Sequence, residues 1–384
     1  MRKTIIISFL AVISLALTYR VSDAVVQGAC VNCHTMHNSQ NGAVVVAGGP
    51  YLTLLKGDCI GCHGQAPAGT NEIINNTPQV LHASGTDLAG GNFAYITGNK
   101  TRDATDPGAN QNSVGHNVTD LGATYKEANI TGTFPPGDQF TTGITKDNFT
   151  CAGVYGCHGD RTLSGSMNAI KGSHHVNDKY LKFGANLDET QQGATTAMSY
   201  RFLKGVKGAE ASDWKNTDAT HHNEYKGGTF GGTSEDATSK TSPGTTGSIS
   251  GLCAECHGNF HGQSSDIGTG PWLRHPTDII LPSTVTKEYQ YYNACAGGGA
   301  ACTYSVNAPV ARANTISNAN YPSAKGTLTP GATNDAVVMC LSCHKVHGGA
   351  NADILRWNYS TINAGGGSDN TRCFICHTTK DTGA

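Results

Sequence analysis

The sequence predicts a chain of mostly coil and turns, with a few short helices, minimal sheet and a core that its own side chains are too few to fill. Three observations carry that expectation. Only 38% of the 384 residues are hydrophobic while 49 are glycine, too little apolar side chain for a large conventional core. The chain holds 14 cysteines and 16 histidines. The pattern Cys-x-x-Cys-His occurs five times, and the stretches between are dense in Gly, Asn, Thr, Ser and Asp, which favour turns over regular structure.

The N-terminus comes first in chain order. Arg2 and Lys3 precede an apolar run from Ile5 to Leu17, followed by small residues at Ser22 and Ala24. This reads as a secretory signal peptide over residues 1–24, since the run is shorter than the roughly 20 residues of a spanning helix. Residues 25–384 are then a single exported domain without a membrane span. A loop or linker is expected near 227–251, where Gly, Ser and Thr concentrate. The formal charge of −2 carries no basic excess and excludes nucleic acid as the expected partner.

The five motifs are Cys30/Cys33/His34, Cys59/Cys62/His63, Cys253/Cys256/His257, Cys340/Cys343/His344 and Cys373/Cys376/His377. Two thiols two residues apart can form thioethers with the two vinyl groups of one porphyrin, and the adjacent histidine supplies the proximal iron ligand. Zinc would pair Cys-x-x-Cys units, and a redox dithiol needs no histidine; neither explains a histidine after every second cysteine. The fold class is therefore a multihaem cytochrome c whose core is built from stacked haems. A short helix is expected over Asp335 to Lys345, around the fourth motif.

Cys151 and Cys157, followed by His158, end in the same way but with five intervening residues. A sixth haem on a wider loop is the favoured reading, with Gly153 and Gly156 suiting a bulge; a small disulfide loop is the alternative. Cys295 and Cys302 precede Thr303, so they lack a proximal ligand and read as a disulfide.

Six proximal histidines leave ten of the 16: His37, His82, His116, His174, His175, His221, His222, His261, His275 and His347. That is enough for a distal imidazole on every iron, and an iron with two protein ligands transfers electrons rather than transforming a substrate. His37, His261 and His347 follow a proximal histidine by three or four residues, where a neighbouring haem is easier to reach than their own. Met36 is an alternative axial ligand. Trp272, Tyr291, Tyr292 and Trp357 are candidates to pack on porphyrin faces, or are ordinary core.

These residues resemble the OmcS-type hexahaem cytochromes. The resemblance lies in Cys30-Val-Asn-Cys33-His34-Thr35-Met36-His37-Asn38-Ser39, in Gly115-His116-Asn117, in Cys253 to His261 with Leu273-Arg274-His275-Pro276, and in Cys340 to His344 with His347. It implies surface-exposed subunits that polymerise into filaments for extracellular electron transfer, with haems in parallel and T-shaped pairs. It further implies that His37 ligates a haem of the neighbouring subunit and that His82, His116, His261, His275 and His347 are distal ligands. The chain departs from the family between Cys151 and Gly251, where His174-His175 and His221-His222 look more like other secreted multihaem cytochromes. The expected role is electron transfer between redox proteins or extracellular minerals, at the outer surface or beyond. A soluble periplasmic shuttle, or a reductase with one open iron, is the alternative.

Overall fold

A computed structural model describes residues between 29 and 377, apart from 127–142, 172–198, 210–216, 229–246, 262–276, 282–291, 295–300, 314–325, 331–334, 364–370 and the shorter stretches 48, 52–53, 66–68, 70–71 and 75–76. The signal-peptide expectation, Trp272, Tyr291, Cys295, His174, His175 and His275 therefore lie outside the described residues, as does the side chain of His261.

Regular structure is sparse, as expected of so Gly-rich a chain. The described α-helices are α1 (Cys59–His63), α2 (Ala94–Thr97), α3 (Ser166–Ala169), α4 (Ile249–His261) and α5 (Cys340–Cys343). None is long and apolar enough to cross a membrane. The strands are two residues each and pair antiparallel: β1 (Ser39–Gln40) with β2 (Ala43–Val44), β3 (Ile73–Ile74) with β4 (Thr77–Pro78), β5 (Gly208–Ala209) with β6 (Glu224–Tyr225), β7 (Ile279–Ile280) with β10 (Val337–Val338), and β8 (Cys302–Thr303) with β9 (Thr327–Leu328). Pieces this short cannot hold themselves together, so packing and side-chain bonds must supply the order.

The helix expected over Asp335 to Lys345 is shorter than the pattern suggested. Val337 and Val338 instead form β10 against Ile280 and Ile279, and the helix runs only from Cys340 to Cys343. Two adjacent β-branched residues with a hydrophobic partner strand favour extended backbone over helix.

Two apolar clusters support the C-terminal half. One gathers Tyr200, Leu203, Val206, Tyr225, Ile249, Leu252, Val337 and Met339, with Cys157 packed against it. The other gathers Leu281, Tyr292, Tyr304, Val310, Leu328 and Ile375, with Trp357 and Cys376 at its edge. Tyr292 is fully buried, and its hydroxyl donates to Ala308 O at 2.8 Å and accepts from Ser305 N at 3.1 Å. Cys302 is disulfide-bonded. Of the expected linker, Gly227 and Gly228 are buried, Gly228 N donates to Asp278 Oδ1 at 2.9 Å, and residues 249–251 already belong to α4.

Between the clusters lies a dry ionic group. Arg312 donates through Nε and Nη2 to the two oxygens of Glu224 at 2.8 and 3.0 Å, and its Nη1 lies 3.6 Å from Asp335 Oδ1. His222 Nε2 reaches the same carboxylate at 3.2 Å, and its ring stacks on Tyr304 with centres 3.5 Å apart. Burial alone would raise the Glu224 pKa, but His222 and Arg312 hold it down to about 2. This bidentate pair ties β6 to the Arg312 segment, which also bridges Lys226 and runs beside Val337. Removing one partner strands a buried charge, so Arg312→Ala should lower unfolding stability by about 3–5 kcal/mol, read as a drop in the denaturant midpoint. An unchanged midpoint would show that the pair is not structural.

Candidate haem sites

Each Cys-x-x-Cys-His motif is one turn of helix, because three groups must face one porphyrin edge. Cys30–Asn32 is a 3₁₀ turn, α1 and α5 begin on the first cysteines of their motifs, Cys253 to His257 lies within α4, and Arg372–Ile375 is again 3₁₀. The ring closes with the histidine N–H donating to the first cysteine's carbonyl: His34 to Cys30 at 2.8 Å, His344 to Cys340 at 3.0 Å, His377 to Cys373 at 2.9 Å.

The Cys151 site closes in the same way despite its three extra residues. His158 N donates to Cys151 O at 3.0 Å, as does Cys157 N at 3.2 Å. The extra residues form a bulge where only glycine fits. A Cβ on Gly156 would sit 2.5 Å from Thr150 O, and Gly153 adopts φ +92° with no room for a side chain beside Leu163 O. Both cysteines are free, so the disulfide alternative for this loop is absent from the structure.

The imidazoles are oriented for metal. His63 Nδ1 donates to Pro78 O at 2.9 Å, His158 Nδ1 to Arg201 O at 3.0 Å and His344 Nδ1 to Asp353 O at 2.7 Å. Two non-motif histidines do likewise: His82 Nδ1 to Ser84 O at 2.6 Å and His116 Nδ1 to Val346 O at 2.6 Å. A carbonyl only accepts, so in each of these bonds Nδ1 carries the proton, the tautomer whose Nε2 can ligate a metal. His82 Nε2 is buried with no hydrogen-bond partner, an orphan that an iron would satisfy. Burial, opposed by the Val346 bond and reinforced by His257, lowers the His116 pKa to about 4; burial, with His158 next, lowers that of His347 to about 3. Both rings are held neutral, the form that ligates.

Two pairs of rings bring a proximal histidine near a non-motif one, with ring planes tilted by 33° and 51°. His158 and His347 have centres 6.3 Å apart, and His116 and His257 likewise 6.3 Å. Two imidazoles on opposite sides of one first-row metal, with bonds of about 2.0–2.1 Å and ring centres about 1.1 Å further back, stand about 6.3 Å apart.

The cysteine thiols, which here stand for thioether sulfurs, interact from site to site in chain order. Cys62 is pushed up to about 11 by burial and then by Cys33. The Cys59 and Cys151 sulfurs lie within 4.8 Å of one another. Cys256, pushed up to about 12 by burial, next feels Cys157; Cys253 hydrogen-bonds Cys340; Cys343, pushed up to about 12 by burial, next feels Cys373.

Other spare histidines are placed differently. His37 is exposed, and Met36 is 78% exposed on the same segment. His222 presents Nε2 to Glu224 rather than to a motif histidine. His221 Nδ1 meets Thr217 Oγ1 at 3.0 Å. Sequence reasoning missed Asp120, whose carboxylate sits beside Cys59 and Cys151; an isolated aspartate in a polar stretch gives no signal.

The first and fourth motifs share a scaffold. Thr35 N bonds Leu54 O and Lys56 N bonds Cys33 O; correspondingly, Lys345 N bonds Ile354 O and Arg356 N bonds Cys343 O, at 2.7–2.9 Å. His37 and His347 thus occupy matching places.

Residues 332–382 match the doubled CXXCH motif family. The chain is 26% identical over 363 residues to C-type cytochrome OmcS of Geobacter sulfurreducens, covering 86% of this chain and 78% of that protein. Among solved structures, the Outer Membrane Cytochrome S filament from Geobacter sulfurreducens aligns with a TM-score of 0.47 at 20% identity, over 90% of this chain and 87% of that one. The OmcS nanowires from the same organism align at 0.46 and 21%, over 88% and 85%. With haem c held covalently on its Cys-x-x-Cys-His motifs and little regular structure between them, this chain is an OmcS-like multihaem c-type cytochrome.

Proposed function

We propose that this chain conducts electrons outside the cell through six bis-histidine haems, as the subunit of a polymer, and turns over no substrate. The observation that carries this reading is the succession of adjoining attachment sulfurs. Cys33 bonds Cys62, the Cys59 and Cys151 sulfurs lie within 4.8 Å of one another and Cys253 bonds Cys340, while Cys157 with Cys256 and Cys343 with Cys373 interact electrostatically; this order supports six porphyrin edges that follow one another along the chain. Haem supplies the electron-carrying iron; the protein holds spacing, ligation and burial.

In this reading Cys30, Cys33, Cys59, Cys62, Cys151, Cys157, Cys253, Cys256, Cys340, Cys343, Cys373 and Cys376 hold the haems. His34, His63, His158, His257, His344 and His377 are proximal ligands. The 6.3 Å ring separations support His347 as distal ligand of the His158 iron and His116 as that of the His257 iron. The buried Nε2 of His82 supports a third distal assignment. His174, His175, His261 and His275 remain the expected donors to the other irons.

Polymerisation rests on the likeness of the first and fourth motifs. His347 sits buried against His158, whereas His37, at the same place on the same scaffold, is exposed. An equivalent ligand facing solvent supports an iron supplied by another subunit, as the OmcS-type resemblance implies. Val31, Met36 and Val44, 60%, 78% and 67% exposed on that segment, would be covered by such a contact.

Three measurements test the reading. Cys157→Ser should lower the covalent haem content by one or weaken that haem to a single thioether, visible in the mass of the 151–158 peptide; an unmodified wild-type peptide would remove the sixth haem. Reduced wild-type protein should not bind carbon monoxide, whereas His347→Ala and His116→Ala should each open one iron and bind it with haem content unchanged. Carbon monoxide binding by the wild type would favour a reductase instead. Electron microscopy of native protein should show haem-positive filaments that His37→Ala abolishes at full haem loading; filaments persisting in that variant would refute the bridging role.

A further inference from the structure

Asp120 stands where two haem sites meet. It lies in the 3₁₀ turn Thr119–Leu121, anchored by buried Leu121 and by Thr119 N donating to Phe149 O at 2.7 Å. Its Oδ2 accepts from the Cys151 backbone N–H at 3.1 Å. A carboxylate oxygen of Asp120 and the sulfurs of Cys59 and Cys151 all lie within 4.8 Å of one another. The first of these sulfurs belongs to the second site and the other to the third.

We propose that the Asp120 carboxylate is a potential-setting charge shared by the two haems attached at Cys59 and Cys151. The proposal rests on the reading of Cys151/Cys157/His158 as a haem site. The two sulfurs end as neutral thioethers once haem is attached, leaving the carboxylate as the charge at both porphyrin edges. The other charged group acting on it is Asp58, of the same sign, and no lysine or arginine among the described residues forms an ion pair with it. A negative charge beside a partly buried porphyrin favours ferric over ferrous iron and lowers the reduction potential. Because it adjoins both sites, it lowers both potentials together. Neither haem then becomes a trap for an electron crossing from the second site to the third. Asp120 is a positioning and tuning residue; it touches no iron.

Asp120→Asn tests this in the full, haem-loaded chain, because asparagine keeps the acceptor for Cys151 N–H and removes only the charge. Haem content and the mass of the 151–158 peptide come first, followed by a visible redox titration. The expected result is a move to higher potential by the fraction of the titration belonging to two haems, with the remainder superimposing on wild type. Asp120→Glu, which keeps the charge, should titrate like wild type. If the Asn variant loads poorly, Asp120→Ser gives a second neutral test. A loaded Asn or Ser variant with an unchanged titration would overturn the proposal, as would a shift spread over every haem or an equal shift in the Glu variant. A haem-free 151–158 peptide in the wild type would remove the premise instead, and would be seen before any potential is measured.

Discussion

The hydrogen bond from an imidazole Nδ1 to a backbone carbonyl is the interaction on which the rest of this molecule turns. A histidine that must present Nε2 to iron has one other polar atom, and a buried N–H without an acceptor is costly. The chain brings a carbonyl to the Nδ1 of His63, His82, His116, His158 and His344, and most of those carbonyls come from farther along the sequence. His63 takes Pro78, His158 takes Arg201, and His116 takes Val346, 230 residues away. Each bond fixes a tautomer and a ring direction, and each also closes a loop that has no helix or sheet to hold it. Cofactor orientation and tertiary structure are in this sense one set of contacts.

That economy explains how so little regular structure suffices. Two-residue strands and four-residue helices cannot be stable alone, yet several lie beside an attachment site: α1, α4 and α5 carry motif cysteines, and β7–β10 leads directly into α5. The apolar clusters reach the sites through Cys157 and Cys376 at their margins. Where side chains alone must fill the interior, between β6 and the Arg312 segment, the chain uses a bidentate ion pair and a stacked His222–Tyr304 pair. Such a group is costly to leave half-made, so it specifies one arrangement of segments that hydrophobic packing would leave loosely defined.

Charge follows the same placement. The rings of His116 and His347 are kept neutral by burial, ready to ligate, while Asp120 brings a carboxylate to the junction of two sites. In the proposed reading the haems sit in surroundings that differ from site to site, the means by which one cofactor type can hold several potentials.

Much of this was legible in the residues. Covalent chemistry demands two thiols and an imidazole within one turn, so the motifs name their own sites wherever they fold, and the shortage of apolar side chains announces a core filled by something else. The Cys151 loop was half legible: its ending was visible, but the closure of His158 on Cys151 O across a five-residue bulge depends on glycines meeting backbone from Leu163 and Thr150. The helix expected over Asp335 to Lys345 was overruled by Val337 and Val338 pairing with residues more than fifty positions earlier. The sequence by itself determined what is bound and by which sulfurs, because that chemistry is local. Only the tertiary structure decided which histidines come near one another, which attachment cysteines meet and which carboxylate lies beside them, because those contacts join residues far apart in the chain and no spacing along it encodes them.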